Sequence, residues 1–252
     1  MTMNEAALAL VAEQAIGLID LTRLDEDDTE QQIRELCQQA ITPVGSVAAI
    51  CVYPRFIDTV AKELGRLNLG QQVAIATVVN FPHGEHSVEQ VEQDITAAIA
   101  AGAHEIDLVL PYRQLMAGNT DTALTMVKAA KAICIKGSAC LKVIIESGEL
   151  GHVSLIRQAS ELAIAGGADF VKTSTGKVAI NATLAASEVI LTSIRDSQKD
   201  VGFKAAGGVR TTAEAQQYLQ LAKQIMGPNW VTPAHFRFGA SSLLAQLLNS
   251  LS

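Results

Sequence analysis

The chain has 252 residues, 49% apolar but only 4% aromatic, with a formal net charge of −7 and a pI near 5.2. That length admits one large α/β domain or two small ones with a core of Ala, Val, Ile and Leu, and the acidic balance argues against nucleic acid as a partner. Any anion must be held by a few local cations and backbone amides rather than by a global field.

The opening Met1-Thr-Met-Asn-Glu5 lacks the basic region of a secretory leader, and Ala6 to Ala15 reads as a short amphipathic N-terminal helix. A first strand is expected over Ile16–Leu21, followed by a helix opened by Thr29-Glu-Gln-Gln32. Further strands are expected over Val47–Tyr53, Gln72–Asn80, Glu105–Pro111, Cys140–Glu146, Asp169–Ser174, Val201–Ala206 and Phe236–Ala240. Between them the apolar period becomes helical. Ser87-Val-Glu-Gln90 reads as a capping box with Val88, Val91, Ile95 and Ile99 on one face and Gly102 at the end; Thr211-Thr-Ala-Glu214 opens a later helix. Eight alternating units in one uninterrupted chain predict an α/β fold: a single (β/α)₈ TIM-barrel domain over 1–252, preferred to an open doubly wound sheet. No window has transmembrane length, so no membrane partner is expected. Cys37, Cys51, Cys134 and Cys140 form no Cys-x-x-Cys pair and predict free thiols in a cytoplasmic setting.

Two lysines stand inside short apolar runs: Lys172 in Asp169-Phe-Val-Lys-Thr-Ser-Thr-Gly176 and Lys204 in Val201-Gly-Phe-Lys-Ala-Ala-Gly-Gly208. Alternation turns both into one barrel lumen, where desolvation and mutual repulsion would leave one partly neutral and nucleophilic. The plainer alternative is a pair of lysines bonded to buried carboxylates. Asp107, inside Glu105-Ile-Asp-Leu-Val109, also faces inward, either as a partner for Lys142 or as a catalytic acid or base.

Glycine-bearing turns follow the last three expected strands: Thr175-Gly176-Lys177, Gly207-Gly208-Val-Arg210 and Gly239-Ala-Ser241-Ser242. In barrels these positions form a phosphate cradle, here with serine amides at a helix start. His83-Gly-Glu-His86 resembles a metal-ligand pair, but Pro82 and Gly84 make it a loop, and no metal is expected. Cys51 reads as a small buried hydrophobe.

With Asp-Phe-Val-Lys172-Thr-Ser-Thr-Gly-Lys, Gly-Phe-Lys204-Ala-Ala-Gly-Gly-Val-Arg, Glu-Ile-Asp107, Asn-Phe-Pro-His-Gly and Phe-Gly-Ala-Ser-Ser, the chain resembles the 2-deoxyribose-5-phosphate aldolase family from about Ile16 to Leu248. The resemblance implies a metal-independent, cofactor-free class I aldolase splitting 2-deoxy-D-ribose 5-phosphate into acetaldehyde and D-glyceraldehyde 3-phosphate. It implies Lys172 as the Schiff-base lysine, Lys204 as its pKa-lowering neighbour and Asp107 as the proton-transfer carboxylate. Arg210, Ser241 and Ser242 with the glycine turns become the phosphate site, and Asp20 and Thr22 lie near the substrate hydroxyls. A homodimer is compatible with it. Two departures stand out: Lys204-Ala205-Ala-Gly-Gly where relatives usually read Lys-Pro-Ala-Gly-Gly or Lys-Ala-Ser-Gly-Gly, and an ending at Leu251-Ser252 where some relatives carry a terminal tyrosine. A non-Schiff-base phosphosugar isomerase and a non-catalytic phosphosugar-binding barrel are the rival readings.

Overall fold

The computed structural model describes residues 3–251. Among them, eight parallel strands close into a barrel in chain order: β1 (Ile19–Thr22), β2 (Ala49–Val52), β3 (Ala74–Val79), β4 (Glu105–Val109), β5 (Cys140–Ile144), β6 (Phe170–Lys172), β7 (Gly202–Ala206) and β8 (Phe236–Ala240), which pairs back onto β1. Outside lie α1 (Met3–Ile16), α2 (Glu30–Gln38), α3 (Ile57–Arg66), α4 (Val88–Ala100), α5 (Thr120–Lys136), α6 (Val153–Ala165), α7 (Leu184–Ser197), α8 (Thr212–Met226) and α9 (Leu243–Asn249), with single helical turns at Pro54–Phe56, Tyr112–Met116 and Ser147–Leu150. Strands covered on both faces can be apolar throughout, which is why they stand out as runs of Val, Ile, Leu and Ala. Outward side chains such as Ile106, Leu108, Leu141 and Val143 join the core between sheet and helices. A smaller apolar group, Ala49, Cys51, Ala76 and Val78 with Leu24, fills part of the lumen.

Three local expectations are corrected. Ile16 closes α1 and the first strand begins at Ile19; a buried apolar residue at a junction fits a helix end as well as a strand start. The capping boxes of Thr29 and Thr211 form in both directions, whereas at Ser87 only the hydroxyl accepts, from the Gln90 amide. The Gln90 side chain instead donates to Asp94 one turn on, at 2.8 Å. A two-rung antiparallel hairpin, Ile41–Thr42 with Gly45–Ser46, precedes β2 and was not among the expected elements. No helix among the described residues is long and apolar enough to cross a membrane.

Candidate active site

Strand register assembles a buried charge cluster. Asp107 pairs in register with Lys142, Lys172 with Lys204, and Lys204 with Arg237, so side chains far apart in sequence enter the lumen side by side. Asp107 is the hub. Its Oδ2 accepts from Lys172 Nζ at 2.6 Å and from Lys204 Nζ at 2.7 Å, while Oδ1 accepts from Lys142 Nζ at 3.1 Å. Lys204 also donates to Asp20 at 2.5 Å, Lys142 donates to Glu105, and Arg237 spans Asp20 at 2.6 Å and Glu105 at 3.1 Å.

A charge count separates the lysines. Three carboxylates (Asp20, Glu105 and Asp107) face four basic groups (Lys142, Lys172, Lys204 and Arg237), so full ionisation would leave one excess positive charge in a low-dielectric interior. Lys142 and Lys204 each touch more than one carboxylate. Burial alone would lower both, but Asp107 and Asp20 outweigh it, and both pKa values stand above the usual lysine range. Lys172 touches Asp107 alone, an anion it shares with the other two. Burial lowers its pKa, Asp107 opposes, and the Lys204 charge adds to the lowering, so the net shift is downward. Burial pushes Asp107 up, but the surrounding lysines win and hold it well below the carboxylate range. Lys172 is the group that can release its proton at least cost, and it lines the cleft.

That cleft, of about 410 Å³, opens at the carboxyl end of the strands. Thr22, Thr175, Gly176, Lys177, Gly207, Gly208, Arg210, Gly239, Ser241 and Ser242 all line it. The amides of Gly176, Gly208, Val209, Ser241 and Ser242 have no acceptor among the described residues. Gly207 and Gly208 both take positive φ (76° and 89°), which other residues adopt only with strain; the Gly207 amide donates to the Gly239 carbonyl at 3.4 Å, and those of Gly208 and Val209 are left free. Not every expected donor is free: Glu214 accepts from the Arg210 and Thr211 amides as part of its capping box, leaving Arg210 only its guanidinium for a ligand. Helix α9 has seven residues, so the cradle after β8 rests on amides and flanking cations rather than on a strong helix dipole.

The loop bearing Thr175 is fixed from the neighbouring strand end. Glu146, at φ 53°, accepts from the Thr175 hydroxyl at 2.6 Å and its amide at 3.2 Å. Burial pushes the Glu146 carboxyl upward, against those two bonds. Gly148 packs so tightly that a Cβ there would lie 1.8 Å from the Ile180 carbonyl oxygen.

A model of the DeoC/LacD family aldolases matches residues 14–249. The chain belongs to that family. It is therefore an aldolase, a carbon–carbon lyase. A protein provisionally assigned as a deoxyribose-phosphate aldolase from Toxoplasma gondii superposes with a TM-score of 0.91 at 22% identity, covering 99% of this chain and 97% of that one. A similarly assigned protein from Coccidioides immitis gives 0.79 at 28% identity, covering 93% and 85%. The deoxyribose phosphate aldolase of Aeropyrum pernix, described as a tetramer, gives 0.78 at 21% identity, covering 99% and 98%.

Asp20, like Asp107 and Lys204, is fully buried in the cluster next to Lys172, tied to Lys204, Lys142 and Arg237, and its register partner Gly239 lines the cleft. Thr22 lines the cleft but donates its hydroxyl to the Asp20 carbonyl at 2.8 Å. Four residues the sequence reading left out prove relevant: Glu105 and Arg237 in the cluster, Arg23 and Asn181 in the cleft wall. For Arg237 the signal was an arginine inside Phe236-Arg-Phe238, the same anomaly that marked the lysines. The histidines serve locally: His104 Nδ1 accepts from the Ile75 amide, His152 caps α6, and His235 pairs with Asp200 and stacks on Trp230. His83 and His86 are exposed in their loop. Among the described residues all four cysteines are free, and burial pushes Cys37, Cys134 and Cys140 up to about 12. The Cys51 thiol is raised as well, by the same cause.

Proposed function

We propose that this aldolase works through an imine on Lys172 and reversibly cleaves 2-deoxy-D-ribose 5-phosphate into acetaldehyde and D-glyceraldehyde 3-phosphate. The observation that carries it is the charge imbalance around Asp107: Lys172 is the lysine of that cluster that lines the cleft, and its proton is the one the cluster holds least. Neutral Lys172 adds to the C1 aldehyde of the open-chain sugar and water leaves, giving a protonated imine. The imine draws electrons from the C2–C3 bond as the C3 hydroxyl gives up its proton, and the three-carbon phosphate departs as an aldehyde. Asp107, in contact with Lys172 and Lys204, governs proton transfer, directly or through water, as the remaining enamine is protonated at C2. Hydrolysis releases acetaldehyde and restores the amine.

Reduction with borohydride in the presence of acetaldehyde tests the reading and both of its rivals. One ethyl group should be added, at Lys172, by peptide mass mapping. Trapping at Lys204, or none, sinks the assignment; an isomerase or a binding barrel would trap nothing.

The free amides of Gly208, Val209, Ser241 and Ser242 support the phosphate end of the substrate in this cleft. A charge-assisted hydrogen bond there contributes about 1.5–3 kcal/mol. Ser242→Glu should raise KM for deoxyribose 5-phosphate by far more than for plain deoxyribose. Equal losses on both would make the turn purely structural. We place the chain in the cytoplasm as a single catalytic domain, with a homodimer as the expected assembly.

A further inference from the structure

Arg23 belongs to no part of the chemistry above, yet it is built into the cleft. Its amide donates to the Cys51 carbonyl at 3.0 Å, fixing the backbone just beyond β1. Its Nε donates to Asp28 Oδ1, and the other Asp28 oxygen accepts from the Asp25 amide at 2.8 Å. The Asp28 side chain is wholly covered, while that of Arg23 remains 33% exposed and lines the cleft. A guanidinium serving only to neutralise Asp28 would present its two-nitrogen fork to that carboxylate. Here Nε alone is used, and neither Nη has an acceptor among the described residues. The buried acid therefore orients the guanidinium and leaves its outer edge uncommitted.

The β1–β8 ladder ends at Leu21 with Ala240, and just beyond it Thr22 and Arg23 line the same cleft as Ser241 and Ser242, whose amides are free. Of the other cleft cations, Lys177 stands 3.6 Å from Asp25, itself in the cleft wall, so part of its charge is already answered. Arg210 approaches from the turn after β7. In a chain of net charge −7, a phosphate monoester needs such local cations.

We propose that Arg23 is a phosphate-binding residue flanking the β8 turn, held in place by Asp28, and that this couple sets the preference for a phosphorylated over an unphosphorylated sugar. The inference rests on the phosphosugar reading of the cleft but not on the imine. Arg23 binds; Asp28 is a positioning residue.

Calorimetric titration with sn-glycerol 3-phosphate, a monoester with no reactive carbonyl, tests it on the full chain. Arg23→Gln should raise Kd about ten- to a hundredfold, the span of one charge-assisted contact. Arg23→Lys keeps the charge without the fork and should fall between parent and Gln. Asp28→Asn should weaken binding less than Arg23→Gln, and Asp28→Glu should recover part of that loss. With urea midpoints showing intact folds, an unchanged Kd in Arg23→Gln overturns the assignment, and so does failure of the parent itself to bind. Acetaldehyde trapping is scored separately: a parent that binds through Arg23 but forms no imine at Lys172 refutes the aldol mechanism and leaves Arg23 standing.

Discussion

Replacing Lys204 by Leu should cut imine trapping at pH 7 by about a hundredfold or more, with partial recovery as pH rises. Removing one cation leaves three carboxylates facing three, and the excess charge that drives the proton from Lys172 is gone. Burial still lowers the Lys172 pKa, but Asp107 no longer shares its Oδ2 with Lys204 and holds the Lys172 proton more firmly. At the unperturbed value of about 10.4, well under 1% of the amine would be neutral at pH 7. Only the neutral amine attacks, so trapping climbs with pH through the Lys172 pKa. The parent, whose pKa is depressed, should reach its plateau at lower pH than the variant. Lys204→Arg keeps the charge but misplaces its donors, and its loss should be intermediate. The measurement is the pH profile of borohydride trapping, with urea midpoints to show that each variant folds. If Lys204→Leu traps as fast as the parent at pH 7, the charge count is wrong.

Arg237→Met should cost about 1.5–3 kcal/mol of folding stability, seen as a drop in the urea midpoint, because Asp20 and Glu105 lose its charge-assisted hydrogen bonds and keep only their lysine partners. The same variant should move the trapping profile upward in pH, although Arg237 does not touch Lys172, since it too removes one positive charge from the cluster. The double variant Arg237→Met with Glu105→Leu separates charge from geometry. It leaves two carboxylates against three lysines, restoring the excess, so the profile should return toward the parent and part of the stability with it. A parental profile in the single variant would show that Lys172 is tuned by Lys204 and its own burial alone.

The barrel and its central lysines were legible in the sequence for one reason. A strand covered on both faces tolerates few charges, so Lys172, Lys204 and Asp107 were conspicuous where they stood. Alternation then placed them in the lumen. What alternation cannot supply is which residue meets which across a closed sheet. Arg237 and Glu105 are separated by 132 positions and meet only when β8 and β4 project into the same interior. Asp20 was placed near the substrate hydroxyls by the resemblance alone; its bonds to Lys142, Lys204 and Arg237 form because three other strands project into the same interior, which spacing along the chain does not encode. Arg23 carried no signal at all, since an arginine after a strand is ordinary until it is seen paired with buried Asp28 in the cleft wall. The half-formed box at Ser87 marks a different limit. Gln90 had two possible partners, and the choice between the Ser87 amide and Asp94 is decided by side-chain competition that spacing does not encode.

The grip of Glu146 and Gly148 on the loop from Thr175 to Ile180 bears on how the cleft meets its ligand. A flexible glycine loop would have to be ordered at the moment of encounter, and that ordering entropy would be subtracted from affinity. Here the loop is already moored at both ends by a neighbouring strand terminus, so its ordering was completed during folding. On the phosphosugar reading of the cleft, an anion arriving there would meet donors that need little further ordering.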